Sequence, residues 1–125
     1  MSEIHNYKDL IVWQKSILLV KAIYQITSRF PNHEMYSLVS QMRRAAVSIP
    51  SNIAEGYGRK SSREFAQFYA IAYGSALELE TQLIICHELT YISKEQFEKI
   101  TPLLEEVLRM LNSLVRKMRL LHTEH

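Results

Sequence analysis

"FEKITPLLEEVLRMLNSLVRKMRLL", from Phe97 to Leu121, sets the fold class. Its apolar residues Phe97, Ile100, Leu104, Val107, Leu111, Leu114, Met118 and Leu121 recur at alternating steps of three and four. That spacing is an unbroken seam along a helix, where a strand would alternate every second residue. Just upstream, Ser93 and Gln96 form a capping box, the serine hydroxyl accepting from the Gln96 amide. Pro102 falls inside the run, and the backbone hydrogen bond it removes predicts a bend or a break in the first turns.

Working back along the chain, Ser61 and Glu64 form a second capping box, opening a helix through Phe65, Phe68, Ala72, Ala76, Leu79, Leu83 and Cys86. Its small residues (Ala66, Ala70, Ala72, Gly74, Ala76) let a neighbouring helix approach closely. A further helix starts after "FPNH", with Asn32 as N-cap and Met35, Leu38, Met42, Ala46, Ile49 and Ile53 as its core row. The first helix presents a seam of Leu10, Trp13, Ile17, Val20 and Tyr24 and a second apolar row of Val12, Leu19, Ile23, Ile26 and Phe30. Only Gln14, Lys21, Gln25 and Ser28 form a polar stripe, so this helix is covered on two sides, as an oligomer would cover it. The four helices are placed at roughly 9–29, 33–56, 62–90 and 94–121. Short connections between them predict one all-α domain, an antiparallel up-down-up-down four-helix bundle.

The composition agrees. A chain of 125 residues suffices for one domain, and 3 glycines and 3 prolines leave little material for hairpins. The single cysteine, Cys86, excludes an internal disulfide and a multi-cysteine zinc site, and fits a reducing compartment. "MSEIHNYKDL" has no cationic region followed by an apolar run, and runs such as "ILLV" are too short to cross a bilayer. The expected location is cytoplasmic, away from membranes.

The stretch "QMRRAAVSIPSNIAEGYGR", Gln41 to Arg59, carries the remaining signals. Pro50 predicts a kink or a restart of the helix with Ser48 as cap, and Gly56 and Gly58 predict positive-φ positions that end it. Arg44 shares a polar row with Ser37, Gln41, Ser48 and Ser51 and is read as solvated. Arg43 lies about 100° away, at the edge of the apolar face. Its level in the hairpin predicts a partly buried ion pair with Glu80; the alternative leaves both arginines solvated.

A net charge of +2 does not argue for nucleic acid, but its distribution is uneven. Residues 41–63 are net +4, residues 64–106 net −6, and residues 107–125 net +3. Antiparallel packing would gather Lys8, Arg59, Lys60, Arg63, Arg116, Lys117 and Arg119 at one pole. Glu34, Glu88, Glu95 and Glu98 would outweigh Arg29, Lys94 and Lys99 at the other. Cations at a helix C-terminus complement its dipole, which accounts for Arg116, Lys117 and Arg119. That reason does not cover Arg63 at a helix N-terminus, so the basic pole is read as a contact for nucleic acid.

These residues also carry a likeness. "DLIVWQKS" at Asp9–Ser16, "QMRRAAVSIPSNIAEGYGR", and "FYAIAYGSALELETQL" at Phe68–Leu83 resemble the four-helix-bundle proteins of the 23S rRNA intervening-sequence family. Those proteins are encoded within insertions in bacterial large-subunit rRNA genes or elsewhere in bacterial genomes. The resemblance implies a homopentameric ring of antiparallel bundles, with no catalytic residues and no cofactor. The chain is also similar to the accessory protein of diversity-generating retroelements, a basic pentamer that binds nucleic acid and a reverse transcriptase. The weakly basic balance here departs from that strongly cationic relative.

Other chemistry finds little support. None of the five histidines has a glutamate three residues before it, as a di-iron bundle needs. Glu80 and His87 share a face, read as a hydrogen-bonded or ion-paired histidine rather than a metal site. Cys86 and His87 are neighbours on a helix and point apart. His122 and His125 are placed to chelate adventitious metal. Trp13 and the tyrosines suit core and interface packing better than base stacking. Two readings stay open: a ring-shaped, non-enzymatic accessory protein binding RNA or DNA, and an assembly scaffold whose partner is another protein.

Overall fold

The computed structural model describes residues 6–123, with side chains through Leu121. Among the described residues there are four α-helices and no strand: α1 (Ile11–Thr27), α2 (Leu38–Tyr57), α3 (Ser62–Glu88) and α4 (Lys94–Thr123). The all-helical expectation holds. α3 packs against α2 and α4, and α1 packs more sparsely against the same two helices. None of these helices is long and apolar enough to cross a membrane.

In α4 the capping box forms as read: the Ser93 amide donates to Gln96 Oε1 at 2.8 Å and the Gln96 amide to Ser93 Oγ at 3.0 Å. Ile100, Leu104, Val107 and Leu111 are buried, but the next buried residue is Val115 rather than Leu114. A straight helix repeats every 3.6 residues, so a strict heptad seam drifts off its inner face within a few turns. Of the bend or break expected at Pro102, the break does not occur; α4 runs through it. Pro102 and Glu98, whose carbonyl loses its partner, are both exposed, where water can serve that carbonyl.

α2 also runs through its proline. Pro50 is among the buried residues of this helix, as are Ile49 and Ile53. Ser48 caps nothing. It accepts from Ser75 of α3 at 2.9 Å and from the Asn52 amide side chain at 2.9 Å. Neither Gly56 nor Gly58 has a positive φ. Gly56 sits inside α2, where a Cβ would lie 2.9 Å from the Phe68 Cβ of α3, so close approach is what requires glycine there.

Among the described residues the left-handed one is instead Thr90, with φ 61°. Beyond α3, the Tyr91 amide donates to the Cys86 carbonyl at 2.9 Å and the Thr90 amide to the His87 carbonyl at 3.1 Å. This is a Schellman closure with threonine where glycine is usual. A β-branched residue in that conformation costs about 1–2 kcal/mol, partly offset by the backbone freedom that glycine would lose. Thr90→Gly is therefore expected to stabilise the fold by about 1 kcal/mol, seen as a rise of about 4 °C in Tm.

Asn32 does not cap α2. Residues Asn32–Glu34 form a short 3-10 turn, and α2 begins only after Ser37. The Glu34 carboxylate holds this turn: it accepts from Ser37 Oγ at 2.6 Å and from the Tyr91 hydroxyl at 2.8 Å. Those two bonds, Ser37 first, hold the Glu34 carboxyl below the usual range. The same carboxylate pushes the Tyr91 hydroxyl up. At the other end of α1, Asn6 caps a 3-10 turn over Tyr7–Asp9, so the helix starts at Ile11 rather than near Asp9.

Of the two apolar rows on α1, Val12, Leu19, Ile23 and Phe30 enter the core. Trp13, Ile17 and Val20 are half-buried, and Tyr24 is exposed.

Candidate nucleic-acid interface

The turn between α2 and α3 is built from short hydrogen bonds. The Arg59 amide donates to the Gly56 carbonyl at 3.0 Å, and Ser61 Oγ caps α3 by accepting from the Glu64 amide at 3.2 Å. The Arg59 guanidinium lies 4.5 Å over the Phe68 ring and 3.5 Å from the Glu55 carboxylate. Lys60 and Arg63 are exposed and have no ion pair among the described residues. Arg63 stands in the first turn of α3, where the dipole disfavours a cation.

The second group lies on α4. Arg116 and Lys117 line a shallow groove of about 400 Å³ together with Arg109, Asn112, Ser113 and Leu120. Arg119 is exposed on the same last turns. Arg109 and Ser113 also line a neighbouring, more apolar groove of about 570 Å³ with Asp9, Leu10 and Ile11, so the chain just after Lys8 meets this part of α4. Lys8 itself is exposed, its amino group 5.9 Å from the Tyr7 ring. No hydrogen bond or ring contact joins Arg59, Lys60 or Arg63 to Arg116 or Lys117 among the described residues. Arg109 was absent from the expected site; its seven-residue spacing from Arg116, two turns along one face, is the signal that could have found it.

Arg43 turns away from Glu80. Its Nε donates to Thr27 Oγ1 at 3.0 Å and its guanidinium lies 4.5 Å over the Tyr24 ring, both on α1. The level of Arg43 along the bundle axis did not reveal which neighbouring helix it faces. The ion pair closest to its description is Lys15–Glu106, at 2.9 Å between α1 and α4.

Among the described residues no three His, Cys, Asp or Glu side chains group to hold a metal. The His125 part of the expected chelate lies outside those residues, and the His122 side chain with it. His87 stacks on Phe97 with ring centroids 4.5 Å apart, and no bond links it to Glu80. Cys86 is buried and contacts Met42 Sδ at 3.4 Å. Burial, and then the Glu34 charge, push its thiol up to about 11. Cys86 is accordingly expected to react with an aromatic disulfide reagent only as the protein unfolds; fast labelling of the native chain at neutral pH would refute this.

Residues 8–113 match the family described as 23S rRNA-intervening sequence protein. The chain belongs to that family. The matched span takes in Arg59, Lys60, Arg63 and Arg109 and stops short of Arg116. Among solved structures, the chain is similar to a protein of unknown function from the S23 ribosomal protein family of Bacteroides thetaiotaomicron. The two are 27% identical, with a TM-score of 0.76 over 84% of this chain and 98% of that one. No curated protein matches. The fold of this intervening-sequence family member is thus seen in a second protein, itself of unknown function.

Proposed function

We propose that the protein is a non-enzymatic, oligomeric, cytoplasmic bundle that binds structured RNA or DNA through a basic pole. The observation that carries this reading is the turn at Arg59–Arg63, where two unpaired cations stand beside a third stacked on Phe68, one of them against the helix dipole. An antiparallel up-down-up-down path unites that turn with the end of α4. Four sets of contacts support this path: Met42 with Cys86, Ser48 with Ser75, Gly56 beside Phe68, and Lys15 with Glu106. The tie between Glu34 and Tyr91 sets the α1–α2 connection against the α3–α4 turn, away from the basic residues. The family's name favours RNA as the polyanion, and kinship with the retroelement accessory protein would add a polymerase partner.

Assembly into a homopentameric ring completes the proposal. Ile11 and Leu18 on α1, and Ile71, Leu77, Ile84 and Ile85 on α3, are exposed apolar residues suited to contacts between copies. A ring would repeat the basic pole and raise a weak attraction through avidity. The same apolar faces favour the second reading, a protein scaffold without nucleic acid.

A salt titration against structured RNA tests the choice, with light scattering to fix the mass. Phosphate-driven binding falls linearly in log–log form with salt. Absence of binding at low salt would leave the scaffold.

A further inference from the structure

The outer face of α2 holds a second basic feature, away from the pole. A groove of about 630 Å³ opens over the first half of this helix, lined in part by Tyr24, Tyr36, Ser40, Arg43, Arg44 and Val47. Among the described residues no carboxylate lines it. Tyr36, in the connection before α2, is 96% exposed, and Tyr24 on α1 is 43% exposed. An aromatic ring so free of packing contributes almost nothing to the fold, since apolar area stabilises only when it leaves water. Of the core and interface packing expected of the tyrosines, Tyr36 takes no part in the core of its own chain.

The arginines differ in a useful way. Arg43 is pre-positioned: Thr27 Oγ1 takes its Nε, the Tyr24 carbonyl lies 3.5 Å from Nη2, and the Tyr24 ring supports the guanidinium plane. Thr27 is itself buried and fixed by its own bond to the Ile23 carbonyl at 2.7 Å. Arg44 is exposed and has no ion pair among the described residues. Two guanidinia for phosphate, one bare ring at Tyr36 for a base and a serine hydroxyl, with no carboxylate among the described lining residues, make the combination that holds unstacked nucleotides. A duplex offers its phosphates to such a groove but keeps its base faces covered.

We propose that this groove binds single-stranded nucleic acid, phosphate on Arg43 and Arg44 and a base stacked on Tyr36, as a site separate from the basic pole. Arg44 and the end of α2 at Tyr57 are about 20 Å apart along the helix, so the two sites are separable by mutation. The inference shares with the proposed function only the class of ligand.

The test is fluorescence anisotropy of the full chain with a labelled oligothymidylate and, in parallel, a hairpin duplex, both at low salt. Tyr36→Ala is expected to weaken the oligothymidylate about tenfold, with Tyr36→Trp restoring it and the hairpin unaffected by either. Arg44→Ala should reduce the log–log salt slope for the single strand by about 0.7, the share of one phosphate contact. Both side chains are exposed, so the variants should melt as the parent does. Unchanged oligothymidylate affinity in Tyr36→Ala and Arg44→Ala overturns the site, as does failure of the parent to bind that probe. A change of mass by light scattering in either variant also overturns it, because the groove is then a contact between copies. In each case hairpin binding that depends on Arg59, Lys60 and Arg63 would leave the polar reading standing.

Discussion

Gly56→Val is expected to lower the free energy of unfolding by about 3 kcal/mol, a fall of roughly 10 °C in Tm. A Cβ at this position meets Phe68 Cβ at 2.9 Å, with Tyr69 Cε1 at 3.5 Å and the Phe65 carbonyl at 3.7 Å. The Phe68 Cβ is tied to its backbone and cannot swing aside, so α2 and α3 must move apart. That separation loosens contacts around Ile53 and Tyr69, both buried. Valine's slightly better helix propensity recovers only a few tenths of a kcal/mol. Gly74 supplies the contrast: it lies in α3, is exposed, and a Cβ there meets nothing within 4 Å. Gly74→Ala should stabilise by up to about 1 kcal/mol through helix propensity alone. Thermal melts of the two variants, run together, must move in opposite directions; a loss below about 1 kcal/mol for Gly56→Val would mean that the approach of α2 to α3 is slack.

These two glycines also show what the sequence could and could not convey. Periodicity reports which residues face inward, because burial follows the helical repeat; Leu19, Ile23, Met42, Ile49, Leu79 and Leu104 were all legible in this way. Capping serines were legible too, since Ser61 and Ser93 act within four residues of chain. What failed depended on the neighbour across the gap. Gly56 was read as a helix stop, yet its need for glycine comes from Phe68, twelve residues on in another helix. Pro50 predicts a kink or a restart and Pro102 a bend or a break because the lost hydrogen bond is local, yet α2 and α4 both continue through their prolines. Thr90 adopts the left-handed conformation without glycine to mark it. For the site, charge clustering was legible as composition, but the direction of Arg43 toward Thr27 and the bareness of Tyr36 were not.

Reversing Arg59, Lys60 and Arg63 to glutamate together is expected to weaken binding of structured RNA by about 500-fold or more. Each phosphate contact carries a log–log salt slope of about 0.9, which near 0.1 M salt corresponds to roughly eightfold in affinity; three lost contacts multiply to about 500-fold before repulsion is added. The fold should survive, because all three side chains are exposed and only Arg59 loses defined partners, the Phe68 ring and the Glu55 carboxylate. A drop in net charge alone would also weaken attraction to any polyanion, so the decisive comparison is the matched variant at the other pole. Reversing Arg29, Lys94 and Lys99 changes net charge by the same amount; these residues are exposed as well, and Lys94 lies 3.9 Å from Glu98. If binding is localised, this second variant keeps an affinity within a few fold of the parent and an unchanged salt slope, while the first loses two to three units of slope. Equal losses would show that the protein attracts RNA only through its overall charge. The proposed pole would then have no separate existence, whatever path the helices take.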